Sequence, residues 1–288
     1  ESFLGRIEDP ENTKNTKLNI IDDPAFRTLM AVKIEKVLLK NSDKDELHQA
    51  VKRARQSLEK TITKHKGRLV KQKEDYILAS FESVTNAVLC TLENQSILDI
   101  IAFPSSNLQI KIGLSAGVPV TDKTNIFEDT VKMSNYLSEI AQGRATTTSE
   151  VKDLFEGENF NNTFDNSIVV LDMNTEKFLR SLMDYIETEW NNPTLNVEKL
   201  SIDLGISKSQ ANRKLRLLTA KSPNQFIQEI RLQKSLTSIK LNHKNISEIA
   251  YDSGFTSPTY FSRAFKKRFG ITPKEFATDH IQSIQASR

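Results

Sequence analysis

Two groups of residues in this 288-residue sequence have the types and spacing to do chemistry. The first centres on Asp75. In KGRLVKQKEDYILASF, Lys66 to Phe81, two strand-like runs meet at a turn that holds this carboxylate. An acid at the tip of a strand–turn–strand is one way to hold a catalytic metal, so the stretch is either an active site or the remains of one. The second group is cationic and hydrogen-bonding: Lys208, Ser209, Asn212 and Arg213 on one short helix, and Thr259, Ser262, Arg263 and Lys266 on another. Side chains of this kind reach base edges and phosphates in a DNA major groove. A serine opens each helix, Ser207 and Ser257, and Ser257 is counted with the DNA-facing set as well. Other reactive residues read as structural. His48, His65, His243 and His280 lack metal-ligand spacing, and Cys90 lies with Val84, Ala87 and Val88 on an apolar helix. Trp190 is expected to pack at an interdomain junction. No phosphate-binding glycine loop or nucleophile–base motif is present, and no cofactor is expected.

The elements that must position the second group form an internal repeat. VEKLSIDLGISKSQANRKLRLLTAKSPNQF (197–226) aligns with ISEIAYDSGFTSPTYFSRAFKKRFGITPKEF (246–276). Val197 stands over Ile246, Gly205 over Gly254, Arg213 over Arg263, Pro223 over Pro273 and Phe226 over Phe276. The offset is 49 up to the glycine and 50 beyond it, so the second turn is one residue longer. Each copy reads as a short helix, a glycine turn and a second helix. A small residue, Ser201 or Ala250, stands four before each glycine and lets the helices approach; the glycine permits a positive φ. Leu215, Leu218, Phe261 and Phe265 are expected to face the core. Between the copies, NQFIQEIRLQKSLTSIKL (224–241) reads as one helix with Phe226, Ile230 and Ile239 among its apolar positions. Such a strut spans roughly 27 Å, against ~34 Å for one turn of DNA.

The first half reads as alternating strands and helices. Strands are predicted over 26–39, 68–72, 75–81 and 108–120, and helices over 47–62 (capped by Ser42 or Asp43 and ended by Gly67), 83–101, 127–142 and 149–155. NSIVVLDM is a last strand, and the β-α-β-β-α-β order is the ferredoxin-like split pattern. TEKFLRSLMDYIETEWNN then reads as a helix that Pro193 terminates. From Glu176 to Arg288 there are 18 Lys+Arg against 11 Asp+Glu, a net of +7, while the remainder carries 22 against 26, a net of −4. This sign change points to a polyanion partner for the C-terminal half. One cysteine excludes an internal disulfide and fits a reducing, cytoplasmic compartment. No membrane span or signal peptide is visible, and the opening ESFLGRIEDP reads as the end of a removed upstream segment.

The second copy of the repeat resembles the signature of the AraC/XylS family of transcription regulators, and the match covers about 180–277. The resemblance implies a seven-helix DNA-binding domain fused to a sensory or dimerising domain. By position, the family's reading face maps onto Lys208, Ser209, Asn212 and Arg213, and onto Thr259, Ser262 and Arg263. Pro258 occupies a spot where the family sometimes has a polar contact. Over about 27–155, RTLMAVKIEKVLLK, GRLVKQKEDYILASF, IKIGLSAGVPV and VKMSNYLSEIAQGRATTTSEV resemble class III nucleotide cyclases. Those enzymes need two carboxylates to clamp two divalent metals on a triphosphate. Asp75 occupies one place; the other is Lys33, whose ammonium repels a metal and supplies no ligand electrons. Glu74 and Tyr76 replace the flanking glycines, and Lys33 is a ready partner for Glu74. The family's transition-state Asn and Arg fall on Lys132 and Tyr136, neither of which does the original job, although Lys132 retains a charge for a phosphate.

The expected protein is therefore α+β: a linker or remnant (1–26), a degenerate cyclase-like ferredoxin-type domain (27–172), an all-α double helix-turn-helix domain (174–280) and a tail (281–288). Its expected function is cytoplasmic transcription regulation on double-stranded DNA, as an activator or a repressor. Its first domain is expected to dimerise the protein, sense an unidentified small-molecule effector, or do both. An active cyclase tethered to DNA is the rival, opposed by Lys33. An adaptor that uses its helices for protein contacts is a third reading, opposed by the basic second helices.

Overall fold

A computed structural model describes residues 26–36, 44–101, 108–117, 127–159, 164–241 and 244–278. The readings for residues 1–25, Ser42 and Asp43, 118–120, His243, His280 and the tail lie outside these. The chain packs as two units, and the division falls after Arg180.

The first unit runs β1 (Arg27–Lys36), α1 (Lys44–Lys64), β2 (Arg68–Lys73), β3 (Tyr76–Phe81), α2 (Val84–Ile101), β4 (Leu108–Gly117), α3 (Glu128–Ile140), β5 (Thr146–Thr148), α4 (Ser149–Glu158) and β6 (Val169–Leu171). The sheet order is β2-β3-β1-β4-β5-β6. β1 is antiparallel to both β3 and β4. The first four strands therefore have the split β-α-β-β-α-β arrangement, and β5 and β6 extend it in parallel. The side chains explain the layering. Val32, Ile77 and Ile112 lie in one register row and are buried. On that face Phe81 lies close to Gly67 and Ile62 at the end of α1. The opposite face carries Ala31, Lys33, Lys111 and Gly113. A Cβ on Gly113 would meet Ser134 O at 2.2 Å and Ser138 N at 2.3 Å, so α3 lies directly on the backbone of β4.

Two local readings change. α1 stops at Lys64, and the left-handed residue that turns the chain is Lys66, at φ 59°, rather than Gly67. Gly67 is required by space: a Cβ there would stand 2.5 Å from the Phe81 ring. The short β5 was not foreseen, because three threonines are too few to show an alternation. Cys90 is buried as expected, and burial, aided by Glu93, pushes its thiol up to about 12.

The helices that follow are α5 (Met173–Glu189, across the division), α6 (Val197–Asp203), α7 (Lys208–Thr219), α8 (Pro223–Leu241), α9 (Ile246–Asp252) and α10 (Pro258–Phe269), with a further helical segment at 273–278. The core of the second copy is aromatic: Phe255, Phe261, Phe265 and Phe269 pack with Leu232 and Ile239 of α8 and with Ile249 and Ala250 of α9. Adjacent rings in this cluster meet at 4.5 to 5.7 Å. In the first copy Leu200, Ala211, Leu215, Phe226 and Ile230 are buried. Trp190 lies against α8: Arg231 Nε donates to its carbonyl at 2.8 Å and Lys234 Nζ lies 5.2 Å from its ring centroid.

Candidate nucleic-acid interface

The repeat seen in the sequence is a repeat of geometry. Asn196 caps α6 and Asn245 caps α9, each accepting from backbone N–H groups of the first turn. Gly205 and Gly254 turn the chain at φ 64° and 77°. Ser207 then caps α7 and Ser257 caps α10. Both second helices end in a left-handed residue, Ala220 in one and Gly270 in the other. Ser201 and Ala250 are buried, and their carbonyls accept from Ile206 N at 2.9 Å and Phe255 N at 3.0 Å across the turn.

On α7, at 100° per residue, Lys208, Asn212, Arg216, Ser209 and Arg213 form one stripe with Arg216 at its middle. The side chains of Ser209, Arg213 and Arg216 make no hydrogen bond or ion pair among the described residues, and all three are exposed. Asn212 Nδ2 donates to Lys208 O at 2.9 Å, which leaves its amide oxygen outward. Lys208 is engaged: its Nζ lies 2.6 Å from Glu198 Oε1 on α6. On α10 the corresponding stripe is Ser262, Lys266, Thr259 and Arg263. Their side chains, and that of Lys267, likewise have no partner among the described residues. Pro258 is the first residue of α10, where its missing N–H costs nothing. Ser257 Oγ accepts from Tyr260 N at 3.3 Å, so its hydroxyl serves the cap. Tyr260 is half exposed beside this stripe, and its hydroxyl accepts from Gln228 Nε2 of α8 at 2.8 Å.

The Asp75 region of the first unit has different chemistry. Asp75 is exposed at the tip of the β2–β3 hairpin, and its carbonyl accepts from Ile34 N at 2.9 Å. Lys33 stands opposite Tyr76 on β3 and Lys111 on β4. Lys33 Nζ lies 2.5 Å from Glu139 Oε2 on α3, with both side chains under one-fifth exposed. Lys111 pairs in turn with Glu35 at 2.9 Å. Glu74 lies 3.8 Å from His48. Tyr76 donates to Asn135 Oδ1 at 2.8 Å, and burial keeps its hydroxyl well above the usual titration range despite that bond. Lys132 pairs with Glu128 at 2.8 Å, and Tyr136 is buried. A divalent metal does not fit this donor set. Lys33 and Glu139 neutralise each other, and the described residues hold no group of three or more His, Cys, Asp or Glu able to take an ion.

A family model described as a helix-turn-helix domain matches residues 200–279. The C-terminal unit carries a helix-turn-helix domain of the AraC type. The chain is 35% identical over 109 residues to Histidine kinase P4 of Formosa agariphila, which takes in 38% of this chain and 8% of that protein. It is 34% identical over 98 residues to an uncharacterized HTH-type transcriptional regulator in the cgkA 5'region of Pseudoalteromonas carrageenovora, covering 34% of this chain and 57% of that protein. The chain thus spans less than two thirds of either relative. Among solved structures it is similar to an Adenylate/Guanylate Cyclase/Hydrolase from Silicibacter pomeroyi at 22% identity and a TM-score of 0.39, covering 46% of this chain and 80% of that one.

Within the AraC-type domain, the expected residues Lys208, Ser209, Asn212 and Arg213 do share one face of α7, and Thr259, Ser262, Arg263 and Lys266 one face of α10. Arg216 was missed, although a signal existed: the repeat places it under Lys266. Lys267 and Tyr260, exposed beside the α10 stripe, were not singled out, because single-helix patterning does not separate a residue at the edge of a face from a solvated one.

Proposed function

We propose that this chain is a sequence-specific, DNA-binding transcription regulator, and that its first unit is a cyclase-like domain without catalysis. What supports the DNA reading is one observation: two equivalent helices each present two cations and a hydroxyl without partners among the described residues on one stripe, Arg213, Arg216 and Ser209 on α7 and Arg263, Lys266, Thr259 and Ser262 on α10, with no acid in it. A surface whose cations are left without internal partners suits a polyanion. Phosphate contacts then position the domain, while Arg213 and Arg263 read base edges. Titration of labelled mixed-sequence duplex should show affinity falling steeply as salt rises; salt-independent or absent binding overturns the reading.

The proposed loss of catalysis rests on the Lys33–Glu139 pair. With ATP or GTP and Mg²⁺ or Mn²⁺, the purified chain is expected to form no cyclic nucleotide above blank. Turnover that disappears in Asp75→Ala would sink this part. The first unit is proposed to hold two copies of the chain together, take a small-molecule effector, or do both. Sedimentation of the chain as a monomer at tens of micromolar would remove the first role. Among the described residues no helix is long and apolar enough to cross a membrane, and a cytoplasmic setting belongs to the same proposal.

A further inference from the structure

We infer that Glu229, on the helix connecting the two copies, is a positioning residue that sets the spacing at which they read DNA. This rests on the DNA reading proposed above. Glu229 lies in the first half of α8, and one carboxylate there receives a cation from each side. Arg268 Nε, in the last turn of α10, lies 2.5 Å from Oε1. Lys221 Nζ, just past the C-terminus of α7, lies 3.6 Å from Oε2. Gln233 Nε2, one turn further along α8, adds a bond to Oε1 at 3.3 Å. The C-terminal ends of both reading helices therefore meet at one charge.

The brace is not part of the repeat. Across the two copies Arg268 aligns with buried Leu218, and Lys221 aligns with Ile271. Neither copy contains an equivalent contact within itself, so the ion pairs tie one copy to the other. The carboxylate is shielded, with Glu229 17% and Arg268 20% exposed. Burial alone would raise its pKa; Arg268 and Lys221 outweigh that and hold it below the usual carboxylate range, so the brace is charged at neutral pH. Its leverage follows from length. The reading residues of α10 start about 15 Å from Arg268, so a rotation of about 12° about the brace moves them by about 3 Å. That is close to the ~3.4 Å step of one base pair.

The test begins with selection of duplex DNA from a random library by the wild-type chain. The enriched site is then rebuilt with one or two base pairs added or removed between its two elements. Wild type is expected to bind one spacing best. In Glu229→Gln and Arg268→Gln the ratio of affinity at the best spacing to that at its neighbours should fall about tenfold, and Arg268→Lys should restore much of it. The extra positive charge of Glu229→Gln strengthens binding at every spacing and cancels in the ratio. Trp190 fluorescence confirms that each variant is folded, and Arg268→Gln carries the test alone if Glu229→Gln is not. A wild-type-like ratio in the folded variants, or an equal loss at every spacing, overturns the inference. If the wild type enriches no sequence, the DNA reading itself fails, which is a different result.

Discussion

Gly254→Ala is expected to lower the stability of the AraC-type domain by about 3 kcal/mol, against about 1–2 kcal/mol for Gly205→Ala. The two glycines are equivalent in the repeat, and both hold a positive φ, 77° and 64°. A side chain in that conformation costs ~1–2 kcal/mol at either site. Their surroundings differ. A Cβ on Gly205 meets nothing within 4 Å, whereas one on Gly254 would lie 2.9 Å from the carbonyl carbon and oxygen of Asn191. That backbone cannot easily retreat, because Arg231 donates to Trp190 O at 2.8 Å and to Asn192 O at 2.6 Å on either side of it. The overlap adds a further ~1–3 kcal/mol. The chain has a single tryptophan, Trp190, next to this contact, so urea unfolding followed by its fluorescence reports on the right unit. Equal losses in the two variants would show that Gly254 does not press on the Asn191 backbone as described.

The second large effect concerns DNA. Arg213→Ala and Arg263→Ala are each expected to weaken binding to the preferred site by ~1–3 kcal/mol and to relax specificity at one position. Neither side chain has a partner among the described residues. Their removal therefore leaves the fold intact, and the loss falls on binding. Arg216→Ala and Lys266→Ala, at the middle of each stripe, should instead weaken all sequences alike and reduce the salt slope by about one each. Titrations of the selected site and of a scrambled duplex at several salt concentrations separate the two classes. Unchanged affinity and specificity in both Arg213→Ala and Arg263→Ala would defeat this assignment of the reading face.

Much of this was legible in the sequence because repeats and periodicity are local signals. The offset of 49 to the glycine and 50 beyond it fixed which residues share a role, and the two glycines do adopt the positive φ their position demands. What escaped depends on partners far apart in the chain. Lys33 was read as a cation in a carboxylate's place, and its partner Glu139 is 106 residues away and on another element. No pattern near Lys33 favours Glu139 over Glu74. Lys208 was read only from its place on the helix, and its pairing with Glu198 across the helix turn had no local signal. The Glu229 brace was invisible for the same reason: it joins non-equivalent positions of the two copies.

The most direct test of the central claim is selection of random duplex DNA by the purified chain, repeated with Arg213→Ala combined with Arg263→Ala. The expected result is enrichment of a two-part site whose elements lie about one helical turn, ~34 Å, apart, with affinity that falls as salt rises, and loss of the enrichment in the double variant. A chain that enriches no sequence, or one whose selected site is unchanged by the double variant, contradicts it.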